Sequence, residues 1–130
     1  MEQDTTDEKL DKISEFLEQC KKSKEHDHQL PLTLLLDLAE DNNPRVRWRA
    51  IEALGVLKDE EKSLNALIDA LQDPNNIVRW NAALALGEKG DARATLPLLS
   101  ILQDDSKDVR EMANWSLIEL GVKAVPFLID

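Results

Sequence analysis

Cysteine is nearly absent: Cys20 stands alone in 130 residues. One thiol makes no internal disulfide and fills no metal site, which excludes disulfide scaffolds and zinc folds and makes a cytoplasmic setting the expectation. No apolar run approaches the ~18 residues that span a bilayer. The opening stretch MEQDTTDEK is acidic, so the basic start of a signal or transit peptide is missing. Positive charge is scarce, with 16 Lys and Arg against 26 Asp and Glu. The resulting net charge of −10 repels phosphate backbones and anionic membranes, so neither nucleic acid nor a membrane is the expected partner. There is no glycine-rich phosphate loop, no nucleophile elbow and no cysteine cluster. The two histidines, His26 and His28, flank Asp27 in a polar stretch, 21–30, that reads as a linker. A solvated linker is the expectation there over a metal site. Neither metal nor cofactor is expected, and no residue is assigned a catalytic role.

What is present is a soluble-globular balance, 42% hydrophobic and 32% charged, in a chain sized for one domain. An internal repeat organises it. The stretches NPRVRWRAIEALGVLKD (43–59), NNIVRWNAALALGEKGD (75–91) and KDVREMANWSLIELG (107–121) superimpose with offsets of 32 and 31 residues. Val46, Val78 and Val109 align, as do Arg47, Arg79 and Arg110, then Ala50, Ala82 and Ala113. A period in this range signals an α-solenoid.

Each copy is helical by its spacing: Val46, Ala50, Ala53, Leu54 and Leu57 fall within one apolar arc at about 100° per residue. Small residues at 50, 53, 82 and 85 let a neighbouring helix approach closely. A second apolar pattern precedes each of these helices, with Leu32, Leu35, Leu36 and Ala39 matching Leu64, Leu67, Ile68 and Leu71. The third copy offers Leu98, Leu99 and Leu102, with Thr95 in the first slot. Pro31, Pro44, Pro97 and Pro126 sit where first helical turns are expected. Asn43 fits an N-cap, and Gly90 and Gly121 fit helix ends. No stretch alternates in strand fashion. Thr5 to Glu8 reads as a capping box opening a helix that carries Leu10, Ile13, Phe16, Leu17 and Cys20 on one face. That helix, with its linker (1–30), would cap repeats spanning 31–61, 62–92 and 93–122. The stretch KAVPFLID (123–130) resembles the first half of a fourth repeat. Val125, Phe127, Leu128 and Ile129 would leave apolar surface there, either folded over the third repeat or packed on a second copy or another chain.

DNNPRVRWRAIEALG and DPNNIVRWNAALALG, each preceded by an apolar helix, resemble HEAT-like repeats, and most of all the short class named for phycobilisome lyases. The resemblance covers about 31–130 and implies an all-α, right-handed superhelix of about three helix pairs. It also gives a reason for a recurring spacing of six, Asp41 to Arg47, Asp73 to Arg79 and Asp104 to Arg110. In HEAT repeats such carboxylates bond guanidinium groups of their own or an adjacent repeat, and planar arginine suits that pairing. The third copy departs from the pattern, with Ile118 where the others have Gly55 and Gly87, and Glu111 in place of Trp48 and Trp80.

Trp48 and Trp80 lie about 200° from their reference valines, and Trp115 about 240°, nearly opposite the apolar arc. In this family the second helices line the concave face. Arg45, Arg49, Asn81 and Asn114 lie around the tryptophans, and tryptophan and arginine dominate interface hot spots. Two readings stand side by side: a binding ridge, or indoles that simply pack between adjacent second helices. The leading function is a non-catalytic interaction or assembly module that binds another protein on this face. The alternative, implied by the resemblance, is a bilin-handling lyase or chaperone, with tryptophans stacked on a tetrapyrrole and arginines on its propionates. A reading by analogy with HEAT-like DNA glycosylases, through Arg45, Arg47, Arg49 and Arg79, is opposed by the charge.

Overall fold

The computed structural model describes residues 5–22, 29–57 and 61–128, with side chains from all of these except 29–31 and 123–128. His26, Asp27, His28, Asp59, Glu60 and Ile129 fall outside the described residues, as do the side chains of Val125, Phe127 and Leu128. Among the described residues there are helices and turns and no strand. Helix α1 (Thr6–Lys22) comes first, followed by α2 (Gln29–Leu38), α3 (Pro44–Val56), α4 (Glu61–Ala70) and α5 (Asn76–Lys89). A 3-10 turn (Ala92–Ala94) leads into α6 (Thr95–Ser100) and α7 (Lys107–Leu128). The pairs α2/α3, α4/α5 and α6/α7 are the three layers of an all-α solenoid.

Local chemistry sets the helix ends. Thr5 Oγ1 accepts the Glu8 N–H at 3.2 Å, while Asp7 and Glu8 open α1 and Lys21 and Lys22 close it, complementing its dipole. The Asn43 side chain accepts the Arg45 N–H at 2.9 Å, with Pro44 in the first position of α3. Asn75 does the same for Ile77 and Val78. Gly90 ends α5 at φ 69°, a left-handed conformation that favours glycine. At the other predicted glycine terminus the outcome differs. Helix α7 runs through Gly121 and through Pro126 to Leu128, so 123–128 prolongs the third repeat's second helix and does not open a fourth. A Cβ added at Gly121 would meet no neighbouring element within 4 Å, so no close approach there calls for glycine.

One apolar core runs the length of the stack. Val46, Val78 and Val109 are fully buried, as are Ala50, Ala82 and Ala113, so each second helix turns the same face inward. Helix α1 adds Ile13 and Phe16 to this core and packs on α3, closing the first layer. Second helices pack far more extensively on one another than first helices do, so the stack curves with α3, α5 and α7 on its inner wall.

Close approach of the second helices depends on glycine. A Cβ on Gly55 would stand 2.9 Å from Ala85 Cβ, and one on Gly87 would stand 2.6 Å from Ser116 Oγ and 2.9 Å from its Cα. Those distances are far inside carbon–carbon contact at about 3.5–4.0 Å. Each glycine therefore faces the small residue at one repeat position of the next layer, Ala85 or Ser116. Ser116, fully buried, donates to the Ala83 carbonyl at 2.6 Å and ties α7 to α5.

Candidate functional site

Between α3 and α5 the inner wall opens into a groove of about 530 Å³, floored by Trp48, Gly55, Val56, Trp80, Leu84 and Ala85. Arg49, Glu52, Asn81 and Glu88 form its polar edge. The groove follows from the repeat: residues two, six and ten places after the reference valine share one helical face, giving Trp48, Glu52 and Val56 on α3 and Trp80, Leu84 and Glu88 on α5. The glycine contact brings α3 and α5 together at Gly55 and Ala85, and the two indoles line the groove beside it.

The tryptophans are neither free nor sealed. Trp48 and Trp80 are half-buried and pack against the core, so the arc opposite the valines is not fully solvent-facing as its angle implied. An indole has enough surface to pack along its base while its outer edge stays open. Trp115 is 39% exposed and sits one turn further on, in the register of Glu52 and Leu84. It belongs to the inner wall but does not line the groove.

The polar residues expected around the tryptophans divide. Arg49 lies at the groove with its guanidinium already engaged. It donates to Glu52 at 2.7 Å and to Ser14 of α1 at 3.3 Å, with its Cζ 5.4 Å from the Trp48 ring centroid. Asn81 lines the groove while its Nδ2 donates to the Ile77 carbonyl at 2.9 Å. Arg45 is exposed at the first turn of α3 and does not line the groove. Asn114 is exposed in the register of Ile51 and Ala83, which face the following layer, so it points along the stack and away from the groove. Angle about one helix axis could not separate these cases, because the neighbouring layers decide which residues are reached.

The spacing of six forms a continuous ladder that crosses between layers. Arg47 Nη1 donates to the Asp41 carbonyl at 2.9 Å, while Nε and Nη2 reach the Asp73 carboxylate of the next layer at 2.9 and 3.1 Å. Arg79 repeats this, with Nη1 on the Asp73 carbonyl at 2.7 Å and Nη2 on Asp104 and Asp105, both at 3.1 Å. Its Nε lies 3.0 Å from Asp104 Oδ1 without the alignment of a hydrogen bond. Each aspartate also accepts the N–H two residues on, from Asn43, Asn75 or Ser106, and so shapes the turn that carries it.

Sequence reasoning missed the start of this ladder. Lys9 of α1 bonds Asp41, standing where a preceding layer's arginine would stand, and this bond is the main reason the Asp41 carboxyl is held below its ordinary value. Burial pushes Asp104 up, but bonds from the Ser106 N–H and Arg79 outweigh it, and the net shift is downward. No pattern in the sequence marks Lys9, since α1 lies outside the repeat. Lys89 was also unmarked; its Nζ donates to the Leu57 carbonyl and holds α5 to the end of α3.

Burial pushes the Cys20 thiol up, the reverse of an activated thiolate. Among the described residues no group of three His, Cys, Asp or Glu side chains could hold a metal ion. No helix there is long and apolar enough to cross a membrane. No curated protein matches the chain significantly. The family of HEAT repeats matches residues 32–118, from the start of the first layer to Ile118 of α7. That span takes in the glycine contacts, the groove and the arginine ladder, and the chain belongs to the HEAT-repeat family.

Proposed function

We propose that this protein is a non-catalytic interaction module that takes a segment of another protein in the groove between α3 and α5. The observation that carries the reading is the groove itself: two aromatic edges and an exposed valine on an apolar floor, rimmed by paired and charged side chains. Large aromatic surfaces held rigidly by a core give contact area at small entropic cost, which is how interface anchors work. Glu52 and Glu88 on the rim, in a chain of net charge −10, favour an apolar segment flanked by lysine or arginine.

The bilin-handling alternative, and with it membership of the lyase-type subclass, finds less support in the geometry. Propionates need uncommitted arginines, yet Arg47 and Arg79 serve the ladder and Arg49 is bound to Glu52 and Ser14. The test is affinity capture of partners by the intact protein, compared with Trp48→Ala/Trp80→Ala and with Val56→Glu. The valine is 45% exposed, so its substitution leaves the core intact. Both variants should lose the same partner while remaining helical by circular dichroism. Retention of that partner by folded Val56→Glu at undiminished affinity refutes the groove as the site.

A further inference from the structure

The curvature that closes the inner wall opens the opposite side of the stack. Gly55 and Gly87 let α3, α5 and α7 come close, whereas α2 and α4, the first helices of the first two layers, barely touch. Between α2 and α4 lies a cleft of about 600 Å³. Its floor is apolar and mostly small, with Leu36 and Ala39 from the first layer, Ala66 and Ala70 from the second, and buried Ile51 of α3 beneath.

The rim is acidic at one end. Asp37 and Asp69 share one repeat position, in the last turns of α2 and α4, and Glu40 follows α2 closely. All three are exposed, and among the described residues no side chain pairs with their carboxylates. The fourth lining carboxylate, Asp73, is taken by Arg47. A helix's C-terminal end carries partial negative charge and favours cations, yet neither helix has a basic residue in its last turn. Asp37 and Asp69 therefore stand where their own helices disfavour them. Lys62, the one cation among the described lining residues, sits at the other end, in the first turn of α4. The acidic rim is not a product of the repeat: Ser100 holds the aspartate position in the third layer, and Gln72 holds the glutamate position in the second.

We propose that this cleft takes a basic segment of another protein, in which two lysine or arginine side chains lie along the floor. Their aliphatic stems would cover Leu36, Ala39 and Ala66, and their cations would meet Asp37, Glu40 and Asp69, as long cationic side chains do on apolar surface beside water. Charge selects this occupant: three unmet carboxylates and the negative ends of two helices converge on one end of an apolar cleft. It also sets the direction, with the cations where α2 and α4 finish and away from Lys62. The same carboxylates repel nucleic acid and anionic lipid, and two copies of charge −10 repel each other.

The probe is a displayed library of segments of roughly 12 residues, about three helical turns, selected against the intact protein. Each carries two lysines or arginines at variable spacing among small and apolar residues. Selected peptides should bind Asp37→Asn/Asp69→Asn about three- to thirtyfold more weakly. Asp11→Asn/Glu15→Gln removes the same charge from the exposed face of α1 and should change affinity by less than about twofold, since screening isolates distant charges. Replacing a peptide lysine by diaminobutyrate keeps the cation and drops two methylenes, and should weaken binding severalfold through lost stem contact. Trp48→Ala/Trp80→Ala should leave binding unchanged, which separates the cleft from the inner groove. Circular dichroism verifies that each variant is folded. The proposal is overturned if no peptide is enriched, if the two acid pairs weaken binding equally, or if shortening the stem has no effect. A dimer by light scattering that Asp37→Asn/Asp69→Asn dissolves would equally overturn it, assigning the cleft to a second copy.

Discussion

Replacing Gly87 by alanine adds one methyl group where α5 and α7 come closest. Its carbon would lie 2.6 Å from Ser116 Oγ, 2.8 Å from Ser116 Cβ and 2.9 Å from Ser116 Cα. The last of these is backbone, so no rotamer change relieves the contact and α7 itself must move by roughly 0.5–1 Å. Overpacking of this kind costs about 1–3 kcal/mol, and a backbone obstacle places it in the upper half of that range. Alanine returns about 1 kcal/mol through helix propensity. A net loss of about 1–2 kcal/mol follows, lowering the melting temperature by roughly 3–10 °C for a domain of this size. Gly121→Ala is the internal control, since Gly121 is helical and exposed and a Cβ there would meet no neighbouring element within 4 Å. There the propensity gain stands alone, and stability should rise by about 0.5–1 kcal/mol. Urea denaturation of the three proteins, with unchanged m-values, measures both shifts. Equal stabilisation by the two substitutions would refute the close helix approach on which the curvature rests.

The ladder gives further expectations. Asp73→Asn, at a side chain 11% exposed, strips Arg47 of a bidentate partner and should cost about 1–3 kcal/mol, whereas Asp105→Asn, at a side chain 93% exposed, should cost less than about 0.5 kcal/mol. Paired urea titrations read the contrast. Acid sensitivity follows from Asp41 and Asp104, both held below the ordinary carboxylate range when folded. The unfolded chain takes up these protons first, so their stabilisation is whole above the unfolded carboxylate pKa and drains away as pH falls through the folded values. Lys9→Met removes the main cause at Asp41, and the fall in urea midpoint between neutral pH and about pH 3 should become shallower. An unaltered slope would show that Lys9 contributes nothing to the pair.

How far the sequence could be read depends on whether a residue's role is set within its own helix or between layers. The reference valines and alanines were legible, because period and apolarity alone put them in the core. Asn43 and Gly90 were legible as well, since capping is chemistry of the nearest few residues. The spacing of six located the ladder residues, yet only the packing of layers shows that each arginine keeps its own turn's carbonyl and takes the next layer's carboxylate. Trp48, Arg49 and Asn114 were read from angle about a single axis, and neighbouring helices then separated them into a groove wall, an internal clamp and an outward-facing residue. Gly121 and Pro126 resembled the punctuation of a new helix. A helix continues through such residues when nothing competes for its backbone and its flank is otherwise well formed.

The departures of the third repeat from the other two have one physical consequence. With Glu111 in the tryptophan position, α7 offers no aromatic base against which a second groove could form beside Trp80. Trp115, one turn on, stands as an isolated exposed ring. With Ile118 in the glycine position, α7 refuses the close approach that α3 and α5 each accept. Arg110 keeps the local anchor of a ladder arginine, donating to the Asp104 carbonyl at 2.7 Å. The same two substitutions thus confine the groove to the first two layers. Restoring the repeat with Ile118→Gly should leave the groove's partner bound as before. It should lower stability by about 0.5–1 kcal/mol in urea denaturation, the helix-propensity cost of glycine at an exposed position inside α7. Loss of the groove's partner from a folded Ile118→Gly variant would refute the placement of the site between α3 and α5.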